Sequence, residues 1–214
     1  MEKITMAELT ALFDSVAAIM AENADRLCAM DANMGDGDLG LTMKKGFGAL
    51  PGLIADIDEA DMGKRLAKAG MKMSSVVPST MGTLMSSGVM EGGKRLSGCE
   101  AIGPAEFASF LEGYAAGIQK RGKCQRGDRT VLDAIGPAAD AAAQAAAQPG
   151  ATLASVAEAA VRGADEGVTA TRDMTPKFGK AAVFAARAAG VEDQGAVAGQ
   201  LVVRGLANYI CEGK

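Results

Sequence analysis

The stretch Leu9–Gly40, LTALFDSVAAIMAENADRLCAMDANMGDGDLG, holds the most regular helical pattern of the chain and its sharpest interruption. Its apolar residues recur at steps of three and four, at Leu9, Leu12, Phe13, Val16, Ile19, Met20 and Leu27. This spacing predicts an amphipathic helix that ends at Met30. From Asp31 onward the apolar pattern stops, and three glycines follow before residue 41.

The remaining sequence predicts further helices separated by short turns that contain glycine or proline. We expect them at about 42–50, 62–74, 78–90, from 104, from 130, 138–147, 151–166, 180–189 and 194–210. No segment alternates apolar and polar residues over the length of a strand. The sequence therefore predicts one all-α domain over residues 1–214, with eight or nine closely packed helices.

Composition excludes several classes of protein. The net charge of -4 and the lack of a Lys/Arg run argue against nucleic-acid binding. No apolar run approaches the roughly 20 residues of a membrane helix, and residues 1–5 lack the apolar core of a signal peptide. We therefore expect a cytoplasmic protein without a membrane partner. The four cysteines are scattered without close pairs, which favours free thiols.

The sequence contains no histidine. This absence excludes Ser-His-Asp and Cys-His catalysis, histidine-bound zinc and a phosphohistidine carrier. Any chemistry must instead use carboxylates, hydroxyls, amines, backbone amides or a bound cation.

Three carboxylates, Asp31, Asp36 and Asp38, lie within eight residues of one another. Their mutual repulsion is relieved by a hard cation such as Mg²⁺, and the intervening glycines allow the backbone to fold them toward one point. An EF-hand is excluded because Asp36 stands at its required glycine and Thr42 at its glutamate. A solvated acidic turn remains an alternative at this stage.

Two other clusters suggest a phosphate site. Ser79 and Thr80 follow Pro78 at a predicted helix start, where free amides favour an anion, although taken alone simple N-capping explains them better. Lys177 and Lys180 flank a glycine turn before a second helix start, a pattern also typical of a solvated surface turn.

These residues resemble the nucleotide-binding (L) subunit or domain of dihydroxyacetone kinases, the DhaL-like family. The resemblance rests on Leu27-x3-Asp31-x2-Met34-Gly-Asp-Gly-Asp-x-Gly40 and on Gly127-Asp-x-Thr130-x2-Asp133. Gly179-Lys-Ala and Asp193-x-Gly-Ala follow in the order that the family has. The similarity spans residues 5 to 212.

The resemblance implies an eight-helix antiparallel barrel with the nucleotide-metal site at one end. It implies that Asp31, Asp36 and Asp38 bind two Mg²⁺ ions that bridge to ADP or ATP, and that they act in catalysis together with Lys180. The implied nucleotide contacts are Leu39, Gly40, Leu41, Thr42, Ser79, Thr80, Gly122, Thr130, Val131, Lys180, Asp193, Gln194 and Gly195. A separate K-type subunit would hold a small ketose or polyol through a histidine, and a phosphocarrier protein would rephosphorylate ADP in one branch.

The chain departs from the family pattern at four places around this site. Leu39 stands for a histidine, residues 76–80 for a Gly-Gly-x-Ser-Gly segment, Lys180 for an arginine and Gln194 for a proline. These changes leave open the identity of the acceptor. The sequence also leaves open the phosphoryl donor and the existence of a homodimer. A non-catalytic nucleotide-binding regulator of the same fold and a Mg-dependent phosphohydrolase remain alternatives to a kinase subunit.

Overall fold

The structure, a computed structural model, describes residues 1–183 and 185–212. Its helices are α1 Leu9–Glu22, α2 Ala24–Ala32, α3 Leu39–Ala55, α4 Met62–Val76, α5 Thr80–Arg95, α6 Pro104–Gly122, α7 Leu132–Ala146, α8 Leu153–Ala170, α9 Gly179–Val183, α10 Ala185–Ala188 and α11 Gln194–Glu212. Residue 184, inside the predicted helix 180–189, lies outside the described residues. Two short strands, β1 (Ile4–Thr5) and β2 (Ala101–Ile102), pair antiparallel.

Eight helices form a closed ring in which each packs against two neighbours. The order around the ring is α1, α3, α4, α5, α6, α7, α8 and α11, and α11 packs back on α1. Neighbours run antiparallel: Gly63 near the start of α4 approaches Leu96 beyond the end of α5, whereas Gly70 approaches Ser86 nearer its start. The predicted all-α fold and the antiparallel barrel are confirmed.

Small residues bring the ring helices close together, and large side chains fill the interior. A Cβ on Gly117 of α6 would lie 2.3 Å from the carbonyl oxygen of Ser87 in α5. Inside the ring, the Phe13 and Phe110 rings pack edge to face. The centroids of the Phe110 and Tyr114 rings lie 5.9 Å apart. The Tyr114 hydroxyl donates to the Met85 sulfur at 3.3 Å, so the buried phenol has a hydrogen-bond partner.

Several helix ends differ from the predicted ones. The first helix breaks at Asn23, whose side-chain amide donates to the Ile19 carbonyl at 2.9 Å and so competes with the helical pattern. α3 begins at Leu39 and continues past Pro51 to Ala55, without the one backbone hydrogen bond that proline cannot donate. α5 begins at Thr80, since the Ser79 hydroxyl accepts the Gly82 N–H at 3.0 Å and acts as its N-cap.

α7 begins at Leu132, close to the helix start predicted at 130, and continues through Pro137 into the predicted 138–147 helix without a break. Pro137 has no N–H to donate to the carbonyl of Asp133, one helical turn before it. The backbone of Gly167 in α8 packs on that carbonyl, where a Cβ would lie 2.1 Å from the oxygen. Packing against a neighbouring helix therefore accommodates a residue that normally interrupts helices.

The structure also describes the cysteines and the apolar character of the helices, on which composition gave expectations. All four cysteines are free thiols in the structure. Within the described residues, no helix combines the length and the apolar character that crossing a bilayer requires.

The glycine contacts predict opposite effects for two alanine substitutions. Gly117→Ala should lower the free energy of unfolding by about 1–3 kcal/mol, because the new Cβ would displace the α5 backbone. Gly48→Ala should raise it by up to about 1 kcal/mol, since this exposed position in α3 has no atom within 4 Å of a new Cβ. Urea denaturation of both variants measures the difference, and equal effects would contradict the proposed packing.

Candidate functional site

Asp31, Asp36 and Asp38, here called the aspartate cluster, converge between α2 and α3. Each offers a carboxylate oxygen, and these three oxygens all lie within 4.8 Å of one another. Asp31 is buried at the end of α2, whereas the other two side chains are exposed. Asp38 precedes α3 but makes no side-chain capping bond, so its carboxylate is available to a ligand. The structure thus brings together the three predicted metal ligands.

The turn that carries the cluster is built on Asp31. Its Oδ2 accepts the N–H groups of Gly37 at 2.9 Å and Asp38 at 3.2 Å. Gly37 has a φ of +76°, which favours glycine, and a Cβ on Gly35 would lie 2.4 Å from the Asp31 Oδ1. The two glycines therefore have steric roles in shaping the acidic turn.

A cavity of about 420 Å³ lies against the cluster. Most predicted nucleotide contacts line it: Leu39, Thr42, Ser79, Thr80, Thr130, Val131, Lys180, Asp193, Gln194 and Gly195. A second cavity of about 990 Å³ shares Ser79, Thr80 and Thr130 with the first, and it adds Gly122. The two adjoining cavities form one cleft that starts at the aspartate cluster.

Two predicted contacts lie elsewhere. Gly40 lines neither cavity, and a Cβ there would lie 1.8 Å from the Ala24 carbonyl oxygen, so this glycine lets α3 start close against α2. Leu41 is exposed on α3 and also lines neither cavity. Their contact with nucleotide stays a prediction.

The N-terminus of α5 borders both cavities. Ser79 caps this helix, as one of the two interpretations of the sequence held, and with Thr80 it also lines the cleft. Helix N-termini present free N–H groups and the positive end of the helix dipole. This wall of the cleft therefore suits an anionic group, opposite in character to the acidic wall.

Lys180 contacts the cluster. Its Nζ donates to the Asp36 Oδ2 at 2.5 Å. This hydrogen bond, together with the charges of the other two aspartates, raises the pKa of Lys180, and the same bond lowers the pKa of Asp36. Both side chains are more than half exposed, so the pair adds little stability. In this state the ammonium neutralises part of the cluster.

Arg129 lines the smaller cavity and was not singled out from the sequence. It is 3% exposed and has a left-handed backbone with φ of +60°. Its Nε donates to the Thr171 carbonyl at 3.1 Å. Its Nη2 donates to the carbonyls of Ala188 at 3.1 Å and Val191 at 2.7 Å. The guanidinium therefore fastens the α9–α10 segment (residues 174–183 and 185–191) to the ring. In the sequence, only the position of Arg129 within the Gly127–Asp133 motif could have indicated this role.

Two aspartates shape the turn that carries Arg129. Asp133 accepts the N–H of Gly127 at 2.6 Å through Oδ1 and that of Thr130 at 2.7 Å through Oδ2. Lys177 donates to Asp128 at 2.6 Å and lowers the pKa of that carboxyl. These bonds give Asp128 and Asp133 structural roles beside the cavity.

Asp193 and Gln194 form the wall at the start of α11. Burial raises the pKa of Asp193 to about 6, although the N–H of Ala196 and the charge of Arg129 oppose this shift. The Asp193 Oδ2 accepts the Ala196 N–H at 2.9 Å and caps the helix. The Gln194 Nε2 donates to the Asp31 Oδ1 at 3.4 Å, which links α11 to the aspartate cluster.

A closed ring of eight antiparallel helices, with a carboxylate cluster beside a cleft, defines this protein as an all-α barrel with a candidate cation site. The DAK2 domain matches residues 33–208, which is most of the chain. The chain belongs to the DAK2 domain family.

Curated relatives include proteins of different lengths. The chain is 26% identical over 189 residues to the "PEP-dependent dihydroxyacetone kinase, ADP-binding subunit DhaL" of Escherichia coli, covering 88% of this chain and 90% of that protein. It is 30% identical over 200 residues to the "D-erythrulose kinase" of Mycolicibacterium smegmatis, covering 92% of this chain but 34% of that enzyme. The chain thus spans nearly all of the first relative and about a third of the second.

Solved structures show the same fold. The native dihydroxyacetone kinase of C. freundii aligns with a TM-score of 0.71 at 22% identity, over 97% of this chain and 36% of that one. The same enzyme in complex with AMP-PNP and Mg²⁺ aligns with a TM-score of 0.69 at 25% identity, over 94% of this chain and 34% of that one.

The hydrogen bonds of Arg129 predict that Arg129→Met releases the α9–α10 segment. Each charge-assisted hydrogen bond contributes about 1.5–3 kcal/mol, so trypsin should cut the native protein at Lys177 or Lys180 at least about tenfold faster. Arg126→Met is the control, because it removes only an exposed ion pair with Asp140. Equal digestion of the two variants would contradict the fastening role of Arg129.

Proposed function

We propose that this chain is the nucleotide-binding phosphotransfer subunit of a dihydroxyacetone-type kinase. It uses Mg-bound ADP or ATP to transfer a phosphoryl group to a small ketose or polyol held by a partner subunit. The observation that carries the proposal is the convergence of Asp31, Asp36 and Asp38 at one wall of a cleft whose other wall contains the N-terminus of α5.

The charges of the smaller cavity support a cation-dependent ligand. Its lining carries four acidic side chains, Asp31, Asp36, Asp38 and Asp193, against two basic ones, Arg129 and Lys180. An unaccompanied phosphate would meet net repulsion at this wall. Hard carboxylate oxygens suit Mg²⁺, and we propose two ions here, as in the family that the sequence resembles. When bound, these ions neutralise the charge of the phosphates and of the transition state.

The residues of the chain supply positioning. Hydrogen bonds from two backbone amides hold Asp31 in place before any ligand enters. Ser79 and Thr80 offer the first turn of α5 to a phosphate. Lys180, which donates to Asp36 here, would be free to turn to the phosphates as a point charge where a cation neutralised the cluster. The larger cavity, with Gly122, receives the nucleoside.

The absence of histidine and the presence of exposed apolar side chains both support a separate partner protein that holds the acceptor. With no histidine in the sequence, the chain cannot hold a ketose covalently through imidazole. Leu41, Phe178 and Val183 are exposed apolar side chains on the elements that carry cleft residues, which suits a protein partner docking over the cleft. The E. coli relative is described as an ADP-binding subunit, which supports the same division of roles. The phosphoryl donor is either exchangeable ATP or a phosphocarrier protein that recharges bound ADP.

The first test is thermal stability with ligand. ADP with Mg²⁺ at about one hundred times Kd should stabilise the protein by about 2.7 kcal/mol, which corresponds to a rise in Tm of roughly 5–10 °C. ADP with EDTA should leave Tm unchanged. Asp36→Asn should reduce the rise while far-UV circular dichroism stays the same, and Asp14→Asn on the exposed face of α1 is the matched control.

Three outcomes would count against this proposal. Equal shifts with Mg²⁺ and with EDTA would remove the cation from nucleotide binding. Appreciable ATP hydrolysis by the isolated chain would favour a phosphohydrolase, and nucleotide binding without transfer in the presence of the substrate-binding partner would favour a regulator.

Lys180 provides a second prediction. Lys180→Ala should weaken ADP binding in the presence of Mg²⁺ by about tenfold to a hundredfold, the usual effect of losing a charge-assisted hydrogen bond. It should leave binding of Mg²⁺ alone equal or tighter, because the ammonium no longer competes at Asp36. Lys180→Arg should retain nucleotide binding, and Lys72→Ala, an exposed position on α4, should change nothing. Calorimetric titration of the wild type and the three variants measures these affinities. Wild-type ADP affinity in Lys180→Ala would mean that Lys180 is only a surface charge.

A further inference from the structure

The side-chain oxygen of Gln194 is a buried acceptor without a donor. Gln194 opens α11, is 9% exposed and lines the smaller cavity. Its Nε2 donates to the Asp31 Oδ1 at 3.4 Å, but its Oε1 has no hydrogen-bond partner among the described residues. Because an unpaired buried acceptor is unfavourable, this amide group requires an explanation beyond packing.

The neighbouring carboxylate fixes the orientation of the amide. If the oxygen and nitrogen of Gln194 were exchanged, Oε1 would face the Asp31 Oδ1, and two acceptors would repel each other. The N–H group therefore has to face Asp31 as long as that carboxylate carries no cation. The unpaired Oε1 is a consequence of the cation-free state of the cluster.

We propose that Gln194 is a fourth oxygen donor of the cation site. When a divalent cation binds Asp31, the amide turns about its last torsion and directs Oε1 toward that cation. This torsion has a broad, two-fold profile, so the turn is inexpensive, and amide oxygens are ordinary ligands of hard cations. The inference rests on the proposed function in one respect, that the aspartate cluster binds a divalent cation.

A neutral oxygen suits this position. The cluster already brings three carboxylate oxygens within 4.8 Å, and a further carboxylate would add repulsion in the cation-free protein. In the cation-free protein the amide N–H donates to Asp31. When the cation is bound, the amide oxygen coordinates it. One side chain thus accommodates both states of the site.

Gln200 on the same helix provides a matched contrast. Its Nε2 donates to the Asp165 Oδ1 at 2.7 Å at a partly exposed position outside both cavities. Both glutamines thus donate to an aspartate, but only Gln194 lies at the cation cluster. Substituting methionine keeps the approximate volume of either side chain and removes its amide.

The test uses Mn²⁺ as a probe with the full chain and without nucleotide. Electron paramagnetic resonance of free Mn²⁺ gives the Kd, and water-proton relaxation gives the hydration of the bound ion. Gln194→Met should weaken Mn²⁺ binding by about 10- to 100-fold, and water replacing the amide should raise the relaxation enhancement per bound ion. Its Tm in EDTA should stay near that of the wild type, because the loss of the unpaired acceptor offsets the loss of the 3.4 Å hydrogen bond to Asp31. Gln200→Met should match the wild type in affinity and hydration.

The alternative outcomes separate this inference from the proposed function. Wild-type Mn²⁺ affinity in Gln194→Met overturns the inference and leaves the cation site intact. Weakened affinity with unchanged hydration of the bound ion also overturns it, because Gln194 would then act only through Asp31 or the fold. No Mn²⁺ binding by the wild-type protein would overturn the proposed function as well.

Discussion

The buried carboxylate of Asp31 is the interaction on which the acidic end of the barrel depends. A buried carboxylate must be hydrogen-bonded, and Asp31 meets this need by accepting two amides of the following turn and an amide hydrogen of Gln194. Those bonds set the path of residues 35–38, and with it the positions of the other two carboxylates. The bond from Gln194 also joins α2 to α11, and its two residues are more than 160 positions apart in sequence. The site is therefore organised around one anion before any ligand arrives.

The ring of helices and the cleft make different demands on the sequence. Glycines such as Gly117 bring neighbouring helices into close contact and fix the frame. The residues that approach the cleft come instead from the ends of helices, from the turns beside them and from the α9–α10 segment, where polar groups are unpaired or exchangeable. Lys180 illustrates this difference, because its ammonium pairs with a carboxylate that a cation would also attract. Binding can thus rearrange local contacts without disturbing the packed ring.

Periodicity and local chemistry predicted the helical class and the three aspartates, because both signals depend on residues close in sequence. The antiparallel barrel came from the family resemblance, which also named most of the cleft lining. Sequence reasoning missed the break at Asn23, where a side chain bonds its own helix, and the helical continuation through Pro137, which depends on α8. It missed Arg129 for a related reason: its carbonyl partners lie 42 to 62 residues away. The unpaired oxygen of Gln194 depends on a carboxylate from another helix and could not be foreseen either.

The packing of Gly167 on the Asp133 carbonyl, which Pro137 leaves without a helical donor, has an evolutionary consequence. Proline leaves the Asp133 carbonyl without its usual donor, and glycine lets the neighbouring backbone come close to that oxygen. A residue with an N–H at 137 would draw the carbonyl back into α7, while any side chain at 167 would push α8 away from it. The two positions therefore constrain each other although they belong to different helices. Among homologous sequences, changes at 137 and 167 should be correlated, and an alignment would show them varying as a pair.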